Sequence, residues 1–260
     1  MAEKSSITRV GTYEPFELQV SRGQIAYHRT VTVFGINTDL DQTEETVWPY
    51  DGLINHPTSE MVMTVSSDSV DDVDVTGTGA WSVLIEGLDA DFREISEVVL
   101  LDGQTGVSTT KQYIRINRMS VLTAGTGKSN AGHIYIGSGD VTAGLPAVVY
   151  NLIDIGYNAS TTAHYTVPAG YTAYLAEGVF TAGQSAGSTE IRGKLVTMPP
   201  NGIRYTAAVV AINNGSVAYD FRYPLAIAEK VDISAAAFGA SNNNVVSSMF
   251  NMVLIQNADQ

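Results

Sequence analysis

The chain has 260 residues, enough for one large β domain or two small ones, and a chain of this length buries roughly 70–75% of its unfolded surface without needing a disulfide or a metal. It has no cysteine, which excludes disulfide frameworks, cysteine-ligated zinc and thiol nucleophiles. The formal net charge of -13, from 14 Lys+Arg against 27 Asp+Glu, repels a polyanion, so no nucleic-acid partner is expected.

In chain order, residues 1–16 are polar and end in "YEPF", which predicts an extended N-terminal arm. The opening "MAEKSSITRV" has no apolar core of signal-peptide length, and no run of 18 apolar residues occurs, so neither a secretion signal nor a membrane span is expected. Alternating apolar and polar residues predict strands at "ELQVS" (17–21), "TVTVFGI" (30–36) and "MVMTVSS" (61–67). "AWSVLIEGL" (80–88) and "EISEVVLLDG" (94–103) read as a hairpin turning near "DADFR". "STTKQYIRINRMSVLTAG" (108–125) and "GHIYIGSG" (132–139) read as another. Further strands are expected at 163–170, 171–180, 188–198, 203–212, 217–223, 230–238 and 244–255, separated by "AGQSAG", "PPNG", "NNG" and "GASNNN". The Ala-rich stretch "PLAIAEKVDISAAAF" (224–238) could hold a helical turn, but Val231, Ile233 and Ala235 alternate and favour a strand.

Many short strands at regular spacing predict an all-β fold, a β-sandwich or jelly roll, in one β domain or two. A shift from charged to Thr/Ala/Gly-rich text places a boundary between Gly144 and Gly156. The expected division is an arm at 1–16, an N-terminal β domain at 17–150 and a C-terminal jelly-roll domain at 151–260. The first domain includes an acidic, turn-rich loop at 37–60 around Trp48-Pro49, long enough to need an anchor or a contact. In the block at 80–88, a two-residue period puts Trp81, Val83 and Ile85 on one face, expected to be the core face.

Several stretches imitate catalytic motifs. Gly127, Lys128 and Ser129 end a phosphate-binding loop, but the pattern needs a glycine where Leu122 stands and a helix where the strand-like "NAGHIYIG" follows. A hairpin connection is the better reading. "GQSAG" (183–187) has the form of a nucleophile elbow, yet a strand follows Ser185 and the last histidine, His164, precedes it. Asp68, Asp71, Asp72 and Asp74 could offer oxygens to calcium, but the spacing is not that of an EF-hand, and a solvated acidic turn is favoured. His28, His56, His133 and His164 are scattered and form no zinc motif, so no metal or cofactor is expected. Two sequons, at Asn158 and Asn214, carry no weight without a secretory signal.

The segment "GTGAWSVLIEGLDADFREISEVVLLDG" (77–103) resembles a block found in virion structural proteins of tailed bacteriophages. "SRGQIAYHRTVTVFGINTDL", "TVWPYDG", "SSDSVDD" and "YIRINRM" fit the same block, and "YTVPAGYTAYL" resembles the start of a phage jelly-roll body. The resemblance spans roughly residues 17–180 and implies a particle component without catalytic residues. It implies a protein made in the host bacterial cytoplasm and located in the virion, which needs neither signal peptide nor cysteine.

The expected function is therefore a non-enzymatic capsid decoration (cement) protein or head/tail-attached accessory. It is expected to form a homotrimer and to bind other virion proteins such as the major capsid protein. The candidate assembly contacts are Tyr13, Phe16, Trp48 and Tyr50. A second reading is receptor or glycan binding by the loops "AGQSAG", "PPNG" and "GASNNN" of the C-terminal jelly roll. A third, a polysaccharide depolymerase, would need a carboxylate pair that nothing in the sequence singles out.

Overall fold

The structure, a computed structural model, describes residues 14–183 and 190–257. Among these residues the chain forms one short helix and sixteen strands. In order they are α1 (Phe16–Ser21), β1 (His28–Leu40), β2 (Glu45–Thr46), β3 (Met61–Ser67), β4 (Ala80–Leu88) and β5 (Glu94–Leu100). Then come β6 (Val107–Tyr113), β7 (Arg115–Ala124), β8 (Ile134–Thr142), β9 (Leu145–Ile153), β10 (His164–Thr166) and β11 (Tyr171–Gly183). The last are β12 (Ile191–Met198), β13 (Tyr205–Ile212), β14 (Gly215–Ile227), β15 (Asp232–Gly239) and β16 (Asn244–Gln256).

Eight strands, β1 and β10 to β16, build two sheets in the orders β1-β16-β11-β14 and β10-β15-β12-β13, with β2 added beside β15. The antiparallel partners are first with last (β1 and β16), then β10 with β15, β11 with β14 and β12 with β13. Pairing of β16 with β11 and of β15 with β12 closes the wrap. A long eight-stranded hairpin rolled on itself in this way is a jelly roll. The chain is an all-β sandwich fold, as the strand spacing predicts.

Strand alternation builds the roll's core. Along β16, Val246, Phe250, Met252 and Leu254 point inward and alternate with exposed or half-buried neighbours. In β11 the inward set changes phase, from Ala173 and Leu175 to Phe180 and Ala182, because a bulge between Leu175 and Glu177 inserts one residue.

The pairing does not follow the expected division at 17–150 and 151–260. β1 is a strand of the C-terminal roll, since its partner β16 is at the far end of the chain. The strands β3 to β9 form a second unit between β2 and β10, with sheets β6-β3-β8-β9 and β5-β4-β7 around Met63, Val65, Ile85, Ile116 and Ile134. The boundary expected at Gly144–Gly156 falls on β9, which pairs with β8. The inserted sandwich leaves and returns through adjacent chains: Ala163 N–H donates to Val47 C=O at 3.0 Å. β1 passes directly beneath them at Gly35, where a Cβ would lie 2.2 Å from the Val47 oxygen and 2.3 Å from the Ala163 nitrogen.

Three local expectations are corrected. "ELQVS" is helix, not strand: Pro15 sets φ at the N-cap, Glu17 complements the dipole in the first turn, and only Val20 is buried. The stretch 108–125 is two strands broken at Ile114, not one, and it forms no hairpin with 132–139, since β7 pairs with β4 whereas β8 pairs with β3 and β9. Val83 and Ile85 face the core as expected, but Trp81 is only half-buried. Bulges on either side of Ser82 put Trp81 out of phase, and its indole N–H is held by the Gly77 carbonyl at 2.7 Å.

Candidate functional site

The motif-like stretches resolve into backbone architecture. The loop at Gly125–Ser129 joins β7 to β8 without a helix. Its Gly125 and Gly127 amides donate to the carbonyls of Gly79 and Thr78 at 2.7 and 2.8 Å, so they are not free to cradle a phosphate. Lys128 sits at φ +60° in the turn. Of "GQSAG", Ser185 lies outside the described residues, and β12 rather than a helix comes after it.

The acidic segment is neither a calcium loop nor a solvated turn at its key positions. Asp72 is fully buried and accepts from the Ser67 hydroxyl (2.7 Å) and from the amides of Ala80 (2.7 Å), Ala131 (2.8 Å) and Gly132 (2.9 Å). Those four donors occupy its lone pairs and leave none for a cation. Asp68 accepts from the His133 amide at 2.8 Å and touches the His133 ring at 2.7 Å. Both carboxylates fasten the turn before β4 to the turn before β8.

The four candidate contact residues are not brought together as one surface. Tyr13 lies outside the described residues. Phe16 is 46% exposed on α1, with its ring edge against His28 at 5.9 Å. Trp48 is only 2% exposed and cannot be a docking residue. It packs with Tyr135, Val149 and Leu152 of β8 and β9, and its indole N–H donates to Gly52 C=O at 3.1 Å. Tyr50 is half-buried and closes over it edge-on at 5.3 Å. The anchor reading of the 37–60 loop is the one the geometry supports. Of the loops proposed for glycans, "AGQSAG" lies largely outside the described residues, and the other two do not converge. "PPNG" follows Met198, opposite Asp232, whereas "GASNNN" begins at Gly239, opposite Ile191. They lie at opposite ends of an eight-residue strand, about 25 Å apart.

What the fold does assemble is a polar junction between the roll and the inserted sandwich. Arg115, at the start of β7, forms a two-pronged ion pair with Asp232 of β15, Nε to Oδ1 at 2.9 Å and Nη2 to Oδ2 at 3.0 Å. The Arg115 guanidinium also lies over the Phe92 ring, 5.5 Å from its centroid. Thr166 of β10 donates its hydroxyl proton to Asp232 Oδ1. His164 contacts the Ser234 hydroxyl through Nδ1 at 2.8 Å, and its ring lies 4.6 Å from that of His56. Burial holds both imidazoles neutral, lowering His164 to about 4 and His56 well below its ordinary value. Burial alone would raise the Asp232 carboxyl, but His164 and the Arg115 guanidinium hold it below the ordinary value. One donor atom from each of His56, His164 and Asp232 lies within 4.8 Å of the others, so these residues could hold a metal. No motif spacing announces the set, because its members come from three separate parts of the chain.

Next to the junction, a cleft of about 460 Å³ runs along the unpaired edge of β1 from Arg29 to Phe34. Its opposite wall is Glu86, Glu94, Asn117 and Arg118 of the inserted sandwich, and Tyr165 also lines it. Arg29 bridges the cleft to Glu94 at 2.6 Å and stacks on Tyr171 at 4.6 Å. On the outer face of the same sheet, Phe34, Met249 and Val179 stand side by side on β1, β16 and β11, with Val245 exposed beyond them.

No protein-family description matches the chain, and no curated protein does. Solved structures of infectious bursal disease virus are similar to it at low scores. The Gx strain structure is 12% identical with a TM-score of 0.25, covering 90% of this chain and 73% of that one. The T=1 particles derived from the virus are 10% identical with a TM-score of 0.18, covering 90% and 74%. The T13 viral particle is 10% identical with a TM-score of 0.19, covering 89% and 74%. At these scores the jelly-roll assignment rests on the strand order of the chain itself.

Proposed function

We propose that this protein is a non-enzymatic structural component of a tailed-phage virion, made in the host bacterial cytoplasm. In this reading it is a capsid decoration (cement) or head/tail-attached accessory protein, assembled as a homotrimer and bound to other virion proteins such as the major capsid protein. The observation that carries the reading is the eight-stranded roll with a second sandwich fixed to it through a buried ion pair. Such a unit keeps its shape when it is tiled. Its outward sheet face offers the apolar row of Phe34, Met249 and Val179 as a contact between copies. Light scattering on the purified protein tests the oligomer, and negative-stain images of particles carrying labelled protein test the location. A monomer that does not join particles and is unaffected by Met249→Glu sinks the reading.

The cleft favours a second reading, recognition of a glycan. It is polar, with Thr30, Ser96 and Tyr165 offering hydroxyl groups beside two arginines and two glutamates. The site is then the cleft between the sandwiches and not the loops of the roll. A glycan array supports this reading if the wild type binds a sugar and Ser96→Ala, at an exposed cleft position, does not.

A further inference from the structure

We propose that His56, His164 and Asp232 form a divalent transition-metal site, with zinc the ion that fits it best. The inference is independent of where the protein sits on a particle. It begins with a surplus of acceptors. His164 Nδ1 faces the Ser234 hydroxyl, and donation there leaves the Nε2 lone pair pointing into the junction, 4.0 Å from Asp232 Oδ1. Thr166 Oγ lies 3.3 Å from the same Nε2, but a hydroxyl has one proton, and it goes to Asp232. His56 Nε2 is buried and has no hydrogen-bond partner among the described residues. With both rings protonated at Nδ1, two imidazole lone pairs converge beside the Asp232 carboxylate with no proton between them. A cation answers that surplus.

The donor set selects the ion. Two imidazoles and one carboxylate suit zinc and its first-row neighbours, whereas calcium and magnesium take oxygen shells. The donor atoms, within 4.8 Å of one another, must close to about 3.4 Å around a tetrahedral zinc. His56 can supply most of that movement, because it lies on the irregular segment between β2 and β3. The outer contacts are already in place: Ser234 orients His164, and Arg115 holds Asp232 as an oriented carboxylate. Zinc, the carboxylate and a bound hydroxide sum to neutral, so the buried charge that remains is that of Arg115. The ion would tie the chain leaving the roll, through His56, to the strand returning to it, through His164.

The test uses the full chain without a histidine tag. Elemental analysis of protein purified from zinc-supplemented medium is expected to find about one zinc per chain. The metal-free protein is expected to melt higher when zinc is added, and to give the visible absorption of tetrahedral cobalt when cobalt replaces it. His56→Ala is expected to lose the metal, the zinc-dependent rise and the cobalt spectrum. His133→Ala, a change at a histidine outside the junction, is expected to keep all three. His56 contributes no strand pairing, so its variant remains interpretable if His164→Ala fails to fold. Wild-type protein with no zinc and no response to either ion overturns the proposal. So does metal retained equally by His56→Ala. So does a high-resolution structure with a water hydrogen-bonded to both Nε2 atoms and no metal after zinc soaking.

Discussion

Arg115 and Asp232, 117 residues apart in sequence, meet in parallel hydrogen bonds of 2.9 and 3.0 Å at the seam between two sandwiches. Both side chains are nearly out of solvent, at 10% and 3% exposure. Removing one partner leaves the other charge buried and unpaired, which typically costs about 3–5 kcal/mol. Arg115→Met is expected to destabilise by that order in urea unfolding, and Arg115→Met with Asp232→Leu to recover much of the loss. A double variant as weak as the single one would show that the pair stabilises beyond simple mutual compensation.

Trp48 sits under Tyr50 and against Leu152, inside its own chain. Truncation to alanine is expected to cost about 3–5 kcal/mol, as for other buried aromatics. The loss appears in the melt of the isolated subunit, before any question of assembly. A subunit of wild-type stability that fails only to assemble would contradict the packing.

The two faces of β4 give a matched pair. Ile85 is fully buried, and Ile85→Ala is expected to cost about 2–5 kcal/mol. Trp81, displaced by the bulge and half-buried, is expected to cost less on truncation despite its size. Chemical denaturation of both variants decides it, and the reverse order refutes the register.

Asn37 donates to the Glu45 carboxylate at 2.7 Å within the roll. Burial raises the Glu45 carboxyl above its ordinary 4.5, with the Asn37 hydrogen bond opposing and Asp41 adding to the rise. The folded chain therefore holds this proton to higher pH than the unfolded chain does. The contribution to stability is fully present below the unfolded value and is lost as pH rises through the folded one. Glu45→Gln removes the charge and keeps an amide oxygen to accept from Asn37. It is expected to melt above wild type at pH 7 and level with it near pH 4. A gap that does not narrow on acidification contradicts the shift.

Lys128 is expected to be dispensable for stability. With the neighbouring glycine amides engaged by Gly79 and Thr78, Lys128→Ala should bind ATP no more and no less than wild type, which is not at all. Lys128→Gly is expected to stabilise slightly, because φ +60° suits glycine better than lysine. Calorimetry with ATP and a thermal melt check the two statements.

Local pattern made most strands legible. β3 and β4 occupy the very residues whose alternation predicts them, 61–67 and 80–88. Alternation misleads where a bulge shifts the phase, as at Ser82, and in a short run such as "ELQVS", whose five letters fit either period. It says nothing about partners. That β1 joins β16, and that the second sandwich is inserted within the roll, depends on contacts across most of the chain. The same limit hides the junction. His56, His164 and Asp232 have no common spacing, and only the roll brings the β10 and β15 residues side by side.

Val47 and Ala163, joined by a single 3.0 Å hydrogen bond, are the two ends of everything the inserted sandwich contains. An insert whose ends touch asks nothing of its host except a gap the width of one peptide. The roll can then exchange this module for another while its eight strands stay in register. Two features limit the exchange. Gly35 must stay bare beneath the crossing chains, and Asp232 needs a cation from whatever replaces β7. A graft that supplies an arginine at that point is a replacement the scaffold can accept, and one that omits it leaves a buried carboxylate without its counter-charge.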